Sequence, residues 1–213
     1  MSSLKLKHSG GNSVSLNPPT TAPTSSDVAF KLPNADGSAS QVIKTDGSGN
    51  LAFTTVATVN GITEVDQWGI TSTTSSDTDP ITTWSRISST GSASPLGTGM
   101  SVSSGVFTFP TTGKYLIYSK AKFSINDSDS VAFNTYVTTN NGTNWSAVTS
   151  CTDGLNGSGQ NRDGGSSTMY FVDVTDTSQV KVKFTLSSVS SGTSMVGATE
   201  FTSGAIFIRL GDT

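Results

Sequence analysis

An all-β protein is predicted, with an extended N-terminal arm of short strands followed by a jelly-roll β-sandwich. Three observations predict it. Apolar and polar residues alternate with period two over several stretches, and no segment keeps a convincing helical period. Clusters of Gly, Pro, Asn and Asp interrupt the chain at short intervals. Ser and Thr make up about a third of the residues and only 13% are charged, against roughly 25% in ordinary soluble domains, so exposed strand positions are hydroxylic rather than ionic.

Taken in order, residues 1–60 hold strand candidates at Leu4 to Lys7, Val14 to Leu16, Val28 to Leu32, Val42-Ile43 and Leu51 to Phe53, separated by Gly-Gly-Asn, Pro-Pro and Asp-Gly-Ser breakers. Each is too small to build a core. Burial would have to offset roughly 1.5 kcal/mol of ordering entropy per residue, so the arm is expected to fold against something else. Leu4, Leu6, Val14, Leu16, Phe30, Leu32, Leu51 and Phe53 are its candidate docking residues. Thr54 to Ile62 reads as a strand leading into residues 61–213, the expected sandwich, and Glu64 to Ile70 and Trp84 to Ile87 as its early strands.

The clearest signal is Gly105 to Phe123, GVFTFPTTGKYLIYSKAKF. Val106 to Phe109 is β-branched and aromatic, and Pro110 ends it because proline cannot donate a ladder hydrogen bond. From Lys114 onward, Tyr115, Ile117, Ala121 and Phe123 fall on one face and Lys114, Lys120 and Lys122 on the other, the pattern of a half-buried strand. A hairpin or a corner that switches sheets joins the two. Thr138 to Trp145 contains Asn-Gly and reads as a hairpin turn stapled by Trp145. Its likeness to the Asp-box of sialidase propellers is a single unrepeated instance. Cys151 to Gly165 is the longest polar stretch, read as a loop whose Asn156, Gln160, Asn161, Arg162 and Asp163 are candidate recognition residues. Val180, Val182, Phe184 and Leu186 then face one way, with Lys181, Lys183 and Thr185 opposite. Finally, Ser203 to Ile208 is apolar on both faces, so one face is expected on its own core and the other on a neighbouring subunit. Ile206, Phe207 and Ile208 are the interface candidates.

The spacing G-x-F-x-x-P-x-x-G-x-Y resembles the middle strands of the tumour-necrosis-factor and complement globular-head superfamily, whose members are trimeric jelly rolls. Thr168 to Leu186 resembles that superfamily's late hairpin, and Ser203 to Ile208 its closing strand. The resemblance implies a homotrimer. A second resemblance covers about a quarter of the chain: Gln41 to Phe53, QVIKTDGSGNLAF, is similar to a segment of bacteriophage tail-fibre and related virion proteins, with Phe53 in place of the usual Trp. Leu4 to Leu16 and Val28 to Asp36 resemble the N-terminal region of structural proteins from phages of marine bacteria and cyanobacteria. In such proteins the N-terminal part attaches to the particle and the C-terminal part faces outward.

Composition excludes several functions. A net charge of -3 with scattered basic residues leaves no field for nucleic acid. No run approaches the roughly 18 apolar residues that cross a bilayer, so membrane insertion is not expected. Met1 to Lys7 is too polar and too short for a signal peptide. One cysteine, Cys151, forbids an intrachain disulfide, and an inert half-buried thiol is the better reading of it than a nucleophile. The sole histidine, His8, lies in the arm between Lys7 and Ser9, outside the main fold that would have to supply the geometry of a triad, and reads as a turn or docking residue. Asp77 with Asp79, Asp127 with Asp129, and Asp173 with Asp176 read as turn residues rather than calcium ligands or glycosidase carboxylates.

The expectation is therefore a non-enzymatic structural protein without cofactor or metal, homotrimeric, made in a bacterial cytoplasm and released by lysis as part of a virion. It would be a tail fibre, an appendage or a capsid decoration, docked by its arm to a portal, tail or capsid protein. The alternative is a receptor-binding protein that recognises a host surface glycan or protein; a polysaccharide hydrolase is the remote one.

Overall fold

In the computed structural model, the described residues are 4–17, 19–21, 24, 28–55, 61–87, 94–126, 129–156, 161–198 and 200–213. The chain divides into two compact units, Met1–Thr58 and Val59–Thr213. Among the described residues there is no helix, hence none long and apolar enough to cross a membrane.

The first unit holds two hairpins, β1 (Leu4–Lys7) with β2 (Ser13–Leu16) and β3 (Gln41–Thr45) with β4 (Leu51–Thr55). Pairing of Leu4 with Leu16 and of Ile43 with Phe53 sets their registers. The β3–β4 turn is built by Asp46, whose Oδ1 accepts the backbone N–H groups of Ser48 at 2.8 Å and Asn50 at 3.1 Å. These local bonds explain the Asp-Gly-Ser-Gly-Asn run. Lys31 bridges to Asn50 from a third segment, and Phe53 lies so close over Gly37 that a Cβ there would stand 2.6 Å from the ring.

The second unit carries β5 (Val65–Ile70), β6 (Trp84–Arg86), β7 (Ser101–Ser103), β8 (Val106–Thr108), β9 (Gly113–Asn126), β10 (Ser130–Thr138), β11 (Ser146–Gly154), β12 (Asn161–Val174), β13 (Lys181–Ser187), β14 (Ser194–Met195) and β15 (Gly204–Gly211). One sheet runs β12-β9-β15-β5-β6, with β14 added on β9; the other runs β11-β10-β13-β8-β7. Steps from β8 to β9, β9 to β10, β11 to β12 and β12 to β13 each change sheets, which makes the unit a jelly roll.

The core forms where the inner faces meet. Phe107, Phe109, Tyr115, Ile117, Phe123, Phe133, Phe184 and Phe207 are all buried. Phe107 meets Trp68, Trp84 and Phe184 edge-on at 5.0–5.7 Å between ring centroids, and Phe133 stacks on Phe184 at 5.5 Å. Such offset and edge-on geometry adds to the burial of the rings. Two hydroxyls also meet inside, Ser119 Oγ and Thr135 Oγ1 at 3.2 Å, each satisfying the other so that neither is buried unpaired.

The Pro110–Gly113 corner switches sheets rather than forming a hairpin. The Tyr115 hydroxyl donates to the Thr111 carbonyl at 3.1 Å and lies 2.9 Å from its Oγ1, pinning the corner to the core strand that follows it. Thr168 to Leu186 is likewise no hairpin: β12 pairs with β9, while β13 pairs with β10 and β8 in the opposite sheet. An alternating strand looks the same in sequence whichever sheet it joins. Thr54 and Thr55 finish β4, residues 56–60 lie outside the described residues, and Ile62 is not in a strand. The Asn-Gly turn is present between β10 and β11: Asn141 and Gly142 have φ of 53° and 86°, and the Thr143 N–H donates to the Asn140 carbonyl. Both central residues of such a turn need positive φ, which Asn and Gly reach at least cost.

Candidate functional site

The outward face of the β12-β9-β15-β5 sheet is built by alternation. On β9 the core takes Tyr115, Ile117, Ser119 and Ala121, so Leu116, Tyr118, Lys120 and Lys122 turn outward. The register then sets two apolar rows across four strands. Met169, Tyr118 and Ile206 stand in one with Gln67 at its end; Phe171, Leu116, Ile208 and Val65 form the other. Phe171 is 67% exposed, Met169 61% and Leu210, on β15 just beyond Ile208, 49%. A bridge from Leu96 to Val65 extends the second row by one more exposed residue. Beside Phe171 and Leu210 lies a mostly apolar depression of about 310 Å³, with Lys114 and Asp173 also in its lining. β5 and β15 approach closely at Gly204, where a Cβ would stand 2.1 Å from the Trp68 carbonyl oxygen.

Of the three interface candidates, Ile206 and Ile208 are on this face, half-buried in a single chain. Phe207 is not. It is 1% exposed and packs among Phe107, Phe109 and Phe184 in the core, because the period of two that turns its neighbours out turns it in. Met169, Phe171, Leu116, Tyr118 and Leu210 were missed as members of the face. Their own spacing held the signal, since Leu116 and Tyr118 are apolar at outward positions of a strand whose inward positions are apolar too.

The reading of Cys151 to Gly165 as a loop is a correction. Cys151, Thr152, Asp153 and Gly154 complete β11, and Asn161, Arg162, Asp163, Gly164 and Gly165 begin β12; between them, Leu155 and Asn156 are outside any strand and residues 157–160 lie outside the described residues. Arg162 donates to the Asp153 carboxylate and to the Gly154 carbonyl at 2.8 Å, tying the two edge strands together. Asp163 pairs with Lys122 at 3.0 Å across β12 and β9, and that bond to Lys122 holds its carboxyl below the usual range. Asn156 is exposed beside the connection; Gln160 lies outside the described residues. Polar composition concealed strands because an edge strand needs no alternating apolar residues.

In the first unit, Leu4, Leu6 and Leu16 stand on one face of their hairpin with exposures of 60–67%, and Val14 pairs in register with Leu6. Phe30 and Leu32 are 65% and 78% exposed, Phe53 38%, and Leu51 is half-buried. A groove of about 530 Å³ runs between Leu32, Asp36, Gln41, Leu51 and Phe53. His8 acts within its turn, its Nδ1 accepting the Gly10 N–H at 3.0 Å.

The carboxylates are engaged locally. Asp66 sits beneath β6 and the 94–100 segment, 1% exposed. It accepts from Arg86 Nε at 2.8 Å, Trp68 Nε1 at 2.8 Å, the Met100 N–H at 2.7 Å and Ser94 Oγ at 2.9 Å. Burial pushes its carboxyl up, but these bonds outweigh burial and hold it below the usual carboxylate range. Asp77 accepts the Val189 N–H, Asp79 pairs with Lys183 and Asp129 binds Ser190, while Asp127 lies outside the described residues. No cluster of three or more metal-ligating side chains occurs among the described residues. Cys151 is buried, and desolvation raises its thiol to about 11.

No protein-family model matches the sequence, and no curated protein matches it. Among solved structures, the chain is similar to the Eiger TNF of S. frugiperda, with a TM-score of 0.52 and 15% identity over 72% of this chain and 96% of that one. It is also similar to murine APRIL, at a TM-score of 0.48 and 13% identity, covering 69% and 98%. The likeness to the Eiger TNF structure, together with the strand order, gives the sandwich the tumour-necrosis-factor type of jelly-roll fold.

Proposed function

We propose that the chain is a structural component of a bacteriophage virion, a homotrimer whose C-terminal sandwiches form a displayed head and whose N-terminal arm docks to the particle. The two apolar rows on the β12-β9-β15-β5 face carry this reading. A single sandwich leaves Phe171, Met169 and Leu210 largely in water, and a contiguous apolar face of this kind marks an interaction surface. The face ends at the long edge strand β12, so one copy can lay its edge on the next copy's face. Such a heterologous contact closes as a ring when the rotation is right, and the smallest heterologous ring has three copies. The trimer is also what the resemblance to tumour-necrosis-factor and complement heads implies.

The virion assignment rests on the likeness of Gln41 to Phe53 to tail-fibre segments and on the apolar side chains that the first unit leaves exposed. Those side chains fit a portal, tail or capsid protein as partner. The work is mechanical rather than catalytic, and the protein reaches its place by assembly in the host cytoplasm and release by lysis.

Sedimentation equilibrium tests the trimer. A mass three times that of the chain is expected at micromolar concentration, and Phe171→Asp with Ile206→Asp should shift it to one chain mass while the β-sheet circular dichroism persists. A wild-type mass of one chain would overturn the assembly. Particle incorporation tests the dock: a chain lacking residues 1–58 should trimerise yet fail to join particles.

A further inference from the structure

Residues 94–100 cross the start of β5 as a short strap. Leu96 exchanges two backbone hydrogen bonds with Val65, at 2.8 and 3.1 Å, and Arg86 Nη2 donates to the Met100 carbonyl at 2.7 Å. Four further bonds end on the two carboxylates that flank Val65. Glu64 accepts the Thr98 N–H on Oε1 at 3.2 Å and the Gly99 N–H on Oε2 at 3.0 Å. Asp66 accepts the Met100 N–H on Oδ2 at 2.7 Å and the Ser94 hydroxyl on Oδ1 at 2.9 Å. Three successive backbone N–H groups thus point at carboxylate oxygens, a concave nest whose anions belong to the chain itself. Gly97 and Gly99 allow the wrap, with φ of 77° and 75° in the left-handed region, and a Cβ on Gly99 would stand 2.8 Å from Asp66 Oδ2.

The strap closes over apolar side chains. Met100 is 3% exposed, and with Gly99 it borders a crevice lined by Pro110, Tyr115 and Phe207. Each carboxylate uses both of its oxygens on the strap. A proton on either oxygen turns an acceptor into a donor that faces an N–H or O–H group, and the bonds that remain lose the charge that strengthens them. The other charged and titratable groups around the strap are engaged elsewhere. Arg86 on β6 pairs with Asp66 at 2.8 Å, Tyr115 on β9 gives its hydroxyl to Thr111, and Arg209 on β15 is held by the Thr112 carbonyl and by Asp212. Among the described residues no basic side chain pairs with Glu64. Beneath the strap, β5 is held by backbone ladders to β15 and β6, which do not titrate.

We propose that the 94–100 strap is an acid-released latch: protonation of Glu64 and Asp66 lifts it from β5 and opens the crevice at Met100 while both sheets stay folded. Burial raises the Asp66 carboxyl and its bonds lower it further. Its hold on the strap is therefore complete above about pH 4 and is lost as pH falls through the lowered value. In the trimer proposed above, release would also carry Leu96 away from Val65 at the end of the second outward row. That consequence rests on the trimer reading, and the latch does not.

A thiol placed under the strap reads the latch. In Met100→Cys, the introduced thiol reports the strap, and Cys151, fully buried in the core, reports unfolding of the same molecule. Both are followed with a pyridyl disulfide, which reacts with thiols in acid, from about pH 7 to about pH 3, each rate being divided by that of free cysteine at the same pH. The introduced thiol should react at least about tenfold faster at the acid end while Cys151 stays unreactive. Adding Glu64→Gln should raise the neutral rate at least about tenfold and flatten the pH dependence, because an amide sets a donor against one of the two N–H groups. Reaction of the introduced thiol only together with Cys151, or a neutral rate unchanged by Glu64→Gln, would overturn the latch. If either variant fails to fold, hydrogen exchange in the unaltered chain decides. The Thr98, Gly99 and Met100 amides should then lose protection at a higher pH than those of Ile117 and Ala205, and simultaneous loss overturns the latch. Sedimentation of the unaltered chain over the same pH range separates the two readings: one chain mass throughout removes the trimer and leaves the latch to the thiol rates, whereas a trimer whose two thiols react together removes the latch alone.

Discussion

At the scale of single residues, the most demanding environment belongs to Asp66. Its lowered pKa means that the folded chain keeps the carboxylate ionised where the unfolded chain has begun to protonate. The stability this contributes is fully present above the unfolded carboxyl range near pH 4 and is lost as pH falls through the folded pKa. Acid unfolding followed by near-ultraviolet circular dichroism should therefore begin below about pH 4, and Asp66→Asn should flatten that limb. At neutral pH, Asp66→Ala should cost roughly 2–4 kcal/mol in urea unfolding, because Arg86 and the Met100 N–H lose their acceptor. That figure is moderated by the third of the Arg86 side chain that stays in water. Cys151 makes a second test. Buried and raised to about 11, it should resist an aqueous thiol reagent at pH 8 in the native protein and react at once in denaturant. The sequence reads Cys151 as an inert, half-buried thiol, and the fold buries it fully; Asp66, by contrast, reads as an ordinary polar strand position until β6 and the 94–100 segment are folded over it.

Among the elements, β9 was the easiest to read and β12 the hardest. Fourteen residues from Gly113 to Asn126 alternate almost without a break, and that pattern alone assigns Tyr115, Ile117 and Phe123 to the core. β12 is equally long, yet its first half is Asn, Arg, Asp, Gly and Ser, the composition of a loop. It is a strand because β9 offers a full ladder of backbone donors and acceptors along it, and backbone pairing is indifferent to side chains. The Tyr115 hydroxyl shows how an element is tied to a corner. Tyr115→Phe keeps the packing but deletes the bonds to Thr111, and should lower stability by about 1 kcal/mol in denaturant titration.

For the whole molecule, the face carrying Phe171, Met169, Tyr118, Leu116, Ile206 and Ile208 decides whether the chain acts alone. Introducing carboxylates at Phe171 and Ile206 puts two charges per copy into a desolvated contact, so the expected result is complete dissociation rather than weakened association. The first unit is the other half of that problem. Its exposed Leu4, Leu6, Phe30 and Leu32 are what a docking arm would bury, and deleting residues 1–58 should leave the melting of the sandwich within a few degrees while abolishing attachment.

By itself the sequence determined the class of fold, the strands whose two faces differ in polarity, the Asn-Gly turn and four of the five short strands expected in the arm, Val28 to Leu32 being no strand, because each is written in local periodicity or in residues with special backbone needs. Tertiary structure alone decided which sheet each strand joined, that Phe207 belongs to the core while Ile206 and Ile208 do not, and that a polar stretch from Asn161 to Gly165 is a strand. Alternation states that a strand has two faces, but only the neighbouring strands establish what each face meets.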